Sequence, residues 1–193
     1  MAEPALAEPA RQAGMFLQYP LQPRGHPSPM TQRPHPIAPP PYHAVVPHIV
    51  VAGAPDAIAF YKKAFGATEK LRLADPKLGG AIVCAELVIG DSIISIADEA
   101  PQWNARGPKA LGGSPIVLTL NVEDPDAVAA RAVEAGAKII YPIADQFYGR
   151  REGRIEDPFG HQWILSAVIE DVSVDEMQVR MARWWEEQGP SGA

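Results

Sequence analysis

From Val45 onward the apolar positions follow two rhythms, and the same succession of rhythms occurs twice. In the first half an apolar run from Val45 to Val51 precedes Pro55-Asp56 and an Ala-rich stretch that stops at Gly66. Short apolar runs read as strands, and apolar residues spaced three and four apart read as a helix with one buried face. Pro suits the first turn of a helix, where the N–H it lacks would have no partner, and Gly suits the residue past its end, where the backbone turns left-handed. Period-two alternation then predicts strands over about 69–74, 81–89 and 92–97. The second half opens on the apolar run Ile116 to Val122, starts its helix at Pro125-Asp126 and ends it at Gly136. Its later strands are predicted over about 138–141, 149–156 and 161–167, with Asp157-Pro158-Phe159-Gly160 as the turn before the last.

The two halves are copies at an offset of 70 residues. Pro55-Asp56-Ala57-Ile58-Ala59 recurs as Pro125-Asp126-Ala127-Val128-Ala129 and Gly66-Ala67 as Gly136-Ala137, with six identities over 13 aligned positions. The chain is therefore an α+β protein of tandem βαβββ modules. Beyond them, Ser173-Val174-Asp175-Glu176 matches a capping box and opens a helix over 173–188, whose Val174, Met177, Met181, Trp184 and Trp185 form an apolar stripe.

Composition changes this picture at one end. Of the 21 Pro residues, 11 fall within residues 1–42, a segment with little to bury that reads as a disordered tail. The domain is expected over 43–172, with modules at about 43–100 and 114–168. A net charge of -6 argues against nucleic-acid partners. No window has the roughly 18 apolar residues that span a bilayer, and the start lacks the basic and apolar regions of a secretory signal. A single cysteine, Cys84, forms no intrachain disulfide, so a reducing, cytoplasmic location is expected.

Alternation also assigns faces. Ala81, Val83, Ala85, Leu87 and Ile89 share one face of their strand, and Ile82, Cys84, Glu86 and Val88 the other. With Val45, Ile49, Val51, Ile116, Leu118, Leu120, Val122, Trp163 and Leu165 against helices, the opposite faces carry His48, Glu86, Thr119, Asn121, Gln162, Ile164 and Ser166. His48 and Glu86 are the ionisable groups sent there from the regular strands and form a candidate acid/base pair. The bland alternatives are a hydrogen-bonded histidine on the sheet surface and a carboxylate paired with an Arg from the 150s. Thr119, Gln162 and Ser166 are candidate ligand contacts. Tyr148 and Arg151, in a segment dense in aromatic and guanidinium groups, could clamp a planar or anionic molecule, and Trp103 could cap it. Cys84, with no cation beside it in sequence, reads as a small apolar filler.

The repeat, together with Phe60-Tyr61-x-x-Ala64-Phe65-Gly66 and Asp157-Pro158-Phe159-Gly160-His161, resembles the vicinal oxygen chelate superfamily, the glyoxalase/bleomycin-resistance fold. Ala85-Glu86-Leu87-x-Ile89-Gly90-Asp91-Ser92, Leu111-Gly112-Gly113-Ser114-Pro115 and Asp145-Gln146-Phe147-Tyr148-Gly149-x-Arg151 resemble its PhnB-like branch. The resemblance implies a cupped mixed sheet with helices on the outer face, a small-molecule ligand and a homodimer. In metal-bearing members the ligands come from the first and last strand of each module. Carried across, those positions fall near Val46, Val117, Ile94 and Ile164, none of which can donate to a metal. The resemblance thus implies no metal and no other cofactor here. A two-residue register shift would bring His48 forward with Thr119, Gln162 or Ser166 and return the chain to the metal-dependent side, although neutral hydroxyls and amides hold transition metals poorly.

Three functions follow as expectations. The first is metal-independent binding of a small organic, aromatic or anionic molecule in the cup. The second is a lyase or isomerase using Glu86 or His48, and the third an interaction surface made by the Pro-rich tail and the Trp184-Trp185 helix.

Overall fold

The computed structural model describes residues 42–188. The expected tail lies outside the described residues except for Tyr42, as do the last five positions.

Both halves fold in the predicted order. β1 (His48–Val51), α1 (Ala54–Phe65), β2 (Thr68–Asp75), β3 (Ala81–Ile89) and β4 (Ser92–Asp98) make the first module. A short α2 (Pro108–Leu111) leads to β5 (Val117–Asn121), α3 (Pro125–Glu134), β6 (Lys138–Gln146), β7 (Arg150–Glu156) and β8 (Gln162–Val168). α4 (Val174–Gln188) follows. The helix signals act as read: α1 ends on Gly66 at φ 69°, Asp124 accepts from Ala127 N at 2.9 Å to open α3, and Ser173 accepts from Glu176 N at 3.3 Å to open α4. No described helix is long and apolar enough to cross a membrane.

The strands form two four-stranded mixed sheets, ordered β1-β4-β3-β2 and β5-β8-β7-β6. The first strand of each module runs parallel to the last, and the other pairs are antiparallel. Helix-facing side chains of both sheets, among them Ile49, Val51, Leu87, Ile96, Ile155, Trp163 and Leu165, join α1 and α3 in one cluster. The modules therefore share a single core. Tyr61 of α1 fastens them: its hydroxyl donates to Asp157 Oδ2 at 2.6 Å, and Asp157 also accepts from Trp163 Nε1 at 3.0 Å and from the N–H groups of Phe159 and His161 at 2.9 and 3.0 Å. Asp157 is 3% exposed, so this carboxylate is a buried charge held by hydrogen bonds alone. Phe60 packs edge-on against Phe159, and Phe65 against Trp163, across the same boundary.

Three face assignments are corrected. Val45 and Ile116, expected against helices, lie outside their strands and are 82% and 64% exposed. Pairing between β2 and β3 slips after Leu73, so the alternation of β3 inverts at its start: Ile82 is buried and Val83 exposed. β6 runs on to Gln146 through Pro142, where a strand end was expected. It is an edge strand, and a missing N–H there removes no ladder bond that a neighbour needs.

Candidate functional site

Because the core lies on the helix-facing sides, the opposite faces of both sheets turn away from it and carry the polar side chains. Register sets these in rows. On the first sheet His48 stands beside Ser95 and Ser95 beside Glu86. On the second, Asn121 stands beside Ser166 and Ser166 beside Glu152. Each sheet thus presents a hydroxyl flanked by a carboxylate and by a polar residue from its first strand.

Side-chain hydrogen bonds tie Tyr148, Glu152, Ser166, Arg150 and Asn121 of the second face together. Tyr148 donates to Glu152 Oε1 at 2.6 Å and Ser166 donates to Glu152 Oε2 at 2.7 Å. Arg150 donates from Nη1 to Ser166 Oγ at 3.0 Å and to Asn121 Oδ1 at 3.1 Å. Burial, followed by the Glu152 carboxylate beside it, pushes the Tyr148 hydroxyl up to about 12. The network floors an open cavity of about 570 Å³ whose wall includes Thr119, Ile164 and, from α4, Met177. That volume suits a small molecule. In the next row Arg154 lies over the Tyr141 ring, 5.3 Å from its centroid, and its buried Nε has no hydrogen-bond partner. Two guanidinium groups therefore serve this face.

On the first face His48 Nδ1 lies 3.0 Å from Ser95 Oγ, and Cys84 Sγ 3.6 Å from the same oxygen. Glu86 accepts from Tyr42 at 2.7 Å and lies 3.7 Å from Lys70 Nζ. The carboxylate partner anticipated among the arginines of the 150s is instead a lysine and a tyrosine of its own module. Cys84 is half-buried on this polar face rather than sealed in the core.

The structure brings Thr119, Tyr148 and Ser166 together on the second sheet, with Gln162 two residues along β8 from Ile164, and holds His48 and Glu86 on the first. Arg151 stands elsewhere. Its guanidinium donates to both oxygens of Asp126 at the start of α3, at 2.6 and 2.8 Å, and to Asp145 at 2.8 Å, on the helix side of β7. Arg150 takes the position on the open face. Trp103 is 65% exposed in the loop after β4 and lines neither this cavity nor the rows. Asn121 lies on the open face as expected, Met177 of the apolar stripe reaches the cavity, and Arg150 and Glu152 are the site residues that sequence reasoning passed over, although strand parity finds both. Ile155 is the large apolar residue of β7 and is fully buried, so residues 150, 152 and 154 must face away.

The side chains at the four positions where the resemblance would put metal ligands are all aliphatic. Ile94 packs in the core, Ile164 offers only carbon, and Val46 and Val117 offer none better. Among the described residues no three His, Cys, Asp or Glu side chains converge as a metal would require.

Comparison with known proteins agrees with this architecture. Residues 42–165 match the profile of the Glyoxalase/Bleomycin resistance protein/Dioxygenase superfamily. An uncharacterized protein of Mycobacterium bovis is 39% identical over 142 residues, covering 72% of this chain and 92% of that protein. The X-ray structure of an Arabidopsis thaliana gene product superposes with a TM-score of 0.51 at 29% identity, over 63% of this chain and 96% of that one. The fold is shared with a genomically encoded fosfomycin resistance protein of Listeria monocytogenes, with a TM-score of 0.51 at 17% identity over 69% of this chain and 95% of that one.

Proposed function

We propose that this chain, which belongs to the glyoxalase/bleomycin resistance protein/dioxygenase superfamily, binds a small anionic or aromatic organic molecule without a metal. The observation that carries the reading is the open face of the second sheet. Arg150 and Arg154 supply positive charge, Tyr141 and Tyr148 supply rings, and Tyr148, Glu152, Ser166, Asn121 and Arg150 already satisfy one another, so the floor is preorganised. The Ala85–Ser92 and Asp145–Arg151 motifs favour the PhnB-like branch, and the lone Cys84 favours a reducing, cytoplasmic setting. Each open face is half of a cup, and a homodimer that sets the first sheet of one copy against the second sheet of another would close it.

The test is calorimetric titration against a panel of aromatic and anionic metabolites and antibiotics. A ligand of this class should bind, and Arg150→Ala should weaken it by about tenfold or more, the worth of one charged hydrogen-bond pair. Absence of any binding, or binding indifferent to Arg150 and Arg154, would discard the reading.

The His48–Ser95–Glu86 row supports a second reading, a lyase or isomerase in which Glu86 takes a proton next to a carbonyl and His48, 3.0 Å from Ser95 on the same face, serves as the partner acid. In that case Glu86→Gln abolishes turnover and leaves affinity nearly unchanged, whereas equal loss of both marks the carboxylate as structural.

A further inference from the structure

The two modules repeat in sequence but not in how they are filled. At matching helix positions α1 carries Phe60, Tyr61 and Phe65 where α3 carries Ala130, Arg131 and Ala135. The turns that meet these helices differ in the same sense. Between β7 and β8 the five-residue turn Asp157–His161 carries Pro158 and Phe159, and Phe159 stacks edge-on with Phe60. Between β3 and β4 the turn is only Gly90 and Asp91. Aromatic volume that seals α1 to the second sheet is therefore missing where α3 faces the end of the first sheet.

A cavity of about 660 Å³ occupies that place, between the β3–β4 turn, β5 and α3. Ile93, Leu118, Leu120 and Val128 give it an apolar interior, and Trp163 and Phe65 reach it from the sealed side. Its lining carries the carboxylates of Asp91, Glu123 and Asp124 against one guanidinium, Arg131, which donates from Nε to Ala64 O at 3.4 Å, and one imidazole, His43, whose Nε2 lies 3.0 Å from the Asp91 carbonyl oxygen. Thr119 and Asn121 of β5 border both spaces, but Tyr148, Arg150 and Glu152 lie on the opposite side of the second sheet from α3 and border the cup alone.

We propose that this cavity between the modules is a second ligand site, taking a compact aromatic molecule that carries an amine. The aromatic body replaces the rings that the second module lacks, and the excess of carboxylates in the lining selects a cation over an anion.

The probes are 4-phenylbenzylamine and biphenyl-4-carboxylate, which share a shape and differ in charge, titrated by calorimetry into the full chain. The amine should bind saturably and at least tenfold more tightly than the carboxylate. Ala127→Trp, which projects from α3 into the cavity, should abolish amine binding, and Tyr148→Phe on the cup should leave it unchanged. Equal affinity for the two probes, or undiminished binding to a folded Ala127→Trp protein, would overturn the proposal. Should that variant fail to fold, methyl spectra of the wild type decide: amine-induced shifts at Leu118, Leu120 and Val128 support the site, and shifts confined to Ile164 and Met177 refute it.

Discussion

Tyr148 and Tyr61 each donate a hydroxyl proton to a carboxylate, and in each case ionisation would set a phenolate against that negative charge. Burial first, then Asp157, raises Tyr61 well above the usual phenol range, and burial with Glu152 raises Tyr148 to about 12. A group whose folded pKa is raised contributes stability below its unfolded value, about 10 for tyrosine, and loses that contribution as pH climbs through the folded value. The melting temperature should therefore fall between about pH 10 and 12, and Tyr148→Phe should flatten that slope. A wild-type profile that stays level over the range would contradict this account. At the same scale, most open-face positions could be read from alternation, because Ile49, Leu87 and Leu165 mark the buried phase. The density of aromatic and guanidinium groups points to Arg151, whereas strand parity, set by buried Ile155, turns Arg150 to the open face and Arg151 to the helices. Alternation puts Cys84 on the face of Glu86, but the partners of Cys84, Tyr42 and Lys70 depend on register between strands rather than on spacing within one.

The helices were legible because their start and stop signals are local: Pro and Asp at the first turn, Gly past the end. Strand ends were less so. A slip in pairing inverts β3 at Val83, and an edge location carries β6 through Pro142, and both are properties of a neighbouring strand. The turn into β7 rests on one glycine. Gly149 has φ 81°, its carbonyl accepts from Ile169 N and Glu170 N at 3.0 and 3.1 Å, and a Cβ there would press on the Glu170 carbonyl and the Val172 side chain. Gly149→Ala should destabilise by about 2–4 kcal/mol in chemical denaturation, since left-handed strain and a backbone clash act together. Gly79→Ala, with φ 68° and open space around it, should lose only about 1–2 kcal/mol. Equal losses at the two positions would show that the clash is relieved elsewhere.

For the molecule as a whole, the repeat and the fold class were plain in the sequence, but the way the modules meet was not. The aromatic seal on α1 and the cavity beside α3 come from differences between the copies, whereas the copies were recognised by what they share. The open faces carry Leu73 at 50% and Tyr141 at 59% exposure, more apolar surface than a solvated sheet needs. Sedimentation should give about twice 20.8 kDa, and Leu73→Lys should return the protein to a single chain. A monomeric wild type at micromolar concentration would leave each cup half open. The Tyr61–Asp157 bond spans 96 residues, and this bears on how the protein is made. A ribosome adding about 5–20 residues per second exposes the ring-lined side of α1 for roughly 5–20 s before its partner emerges. Half of the gene would encode no half protein: the nascent first module is sticky until the second arrives, and chaperone depletion should harm it most in that interval.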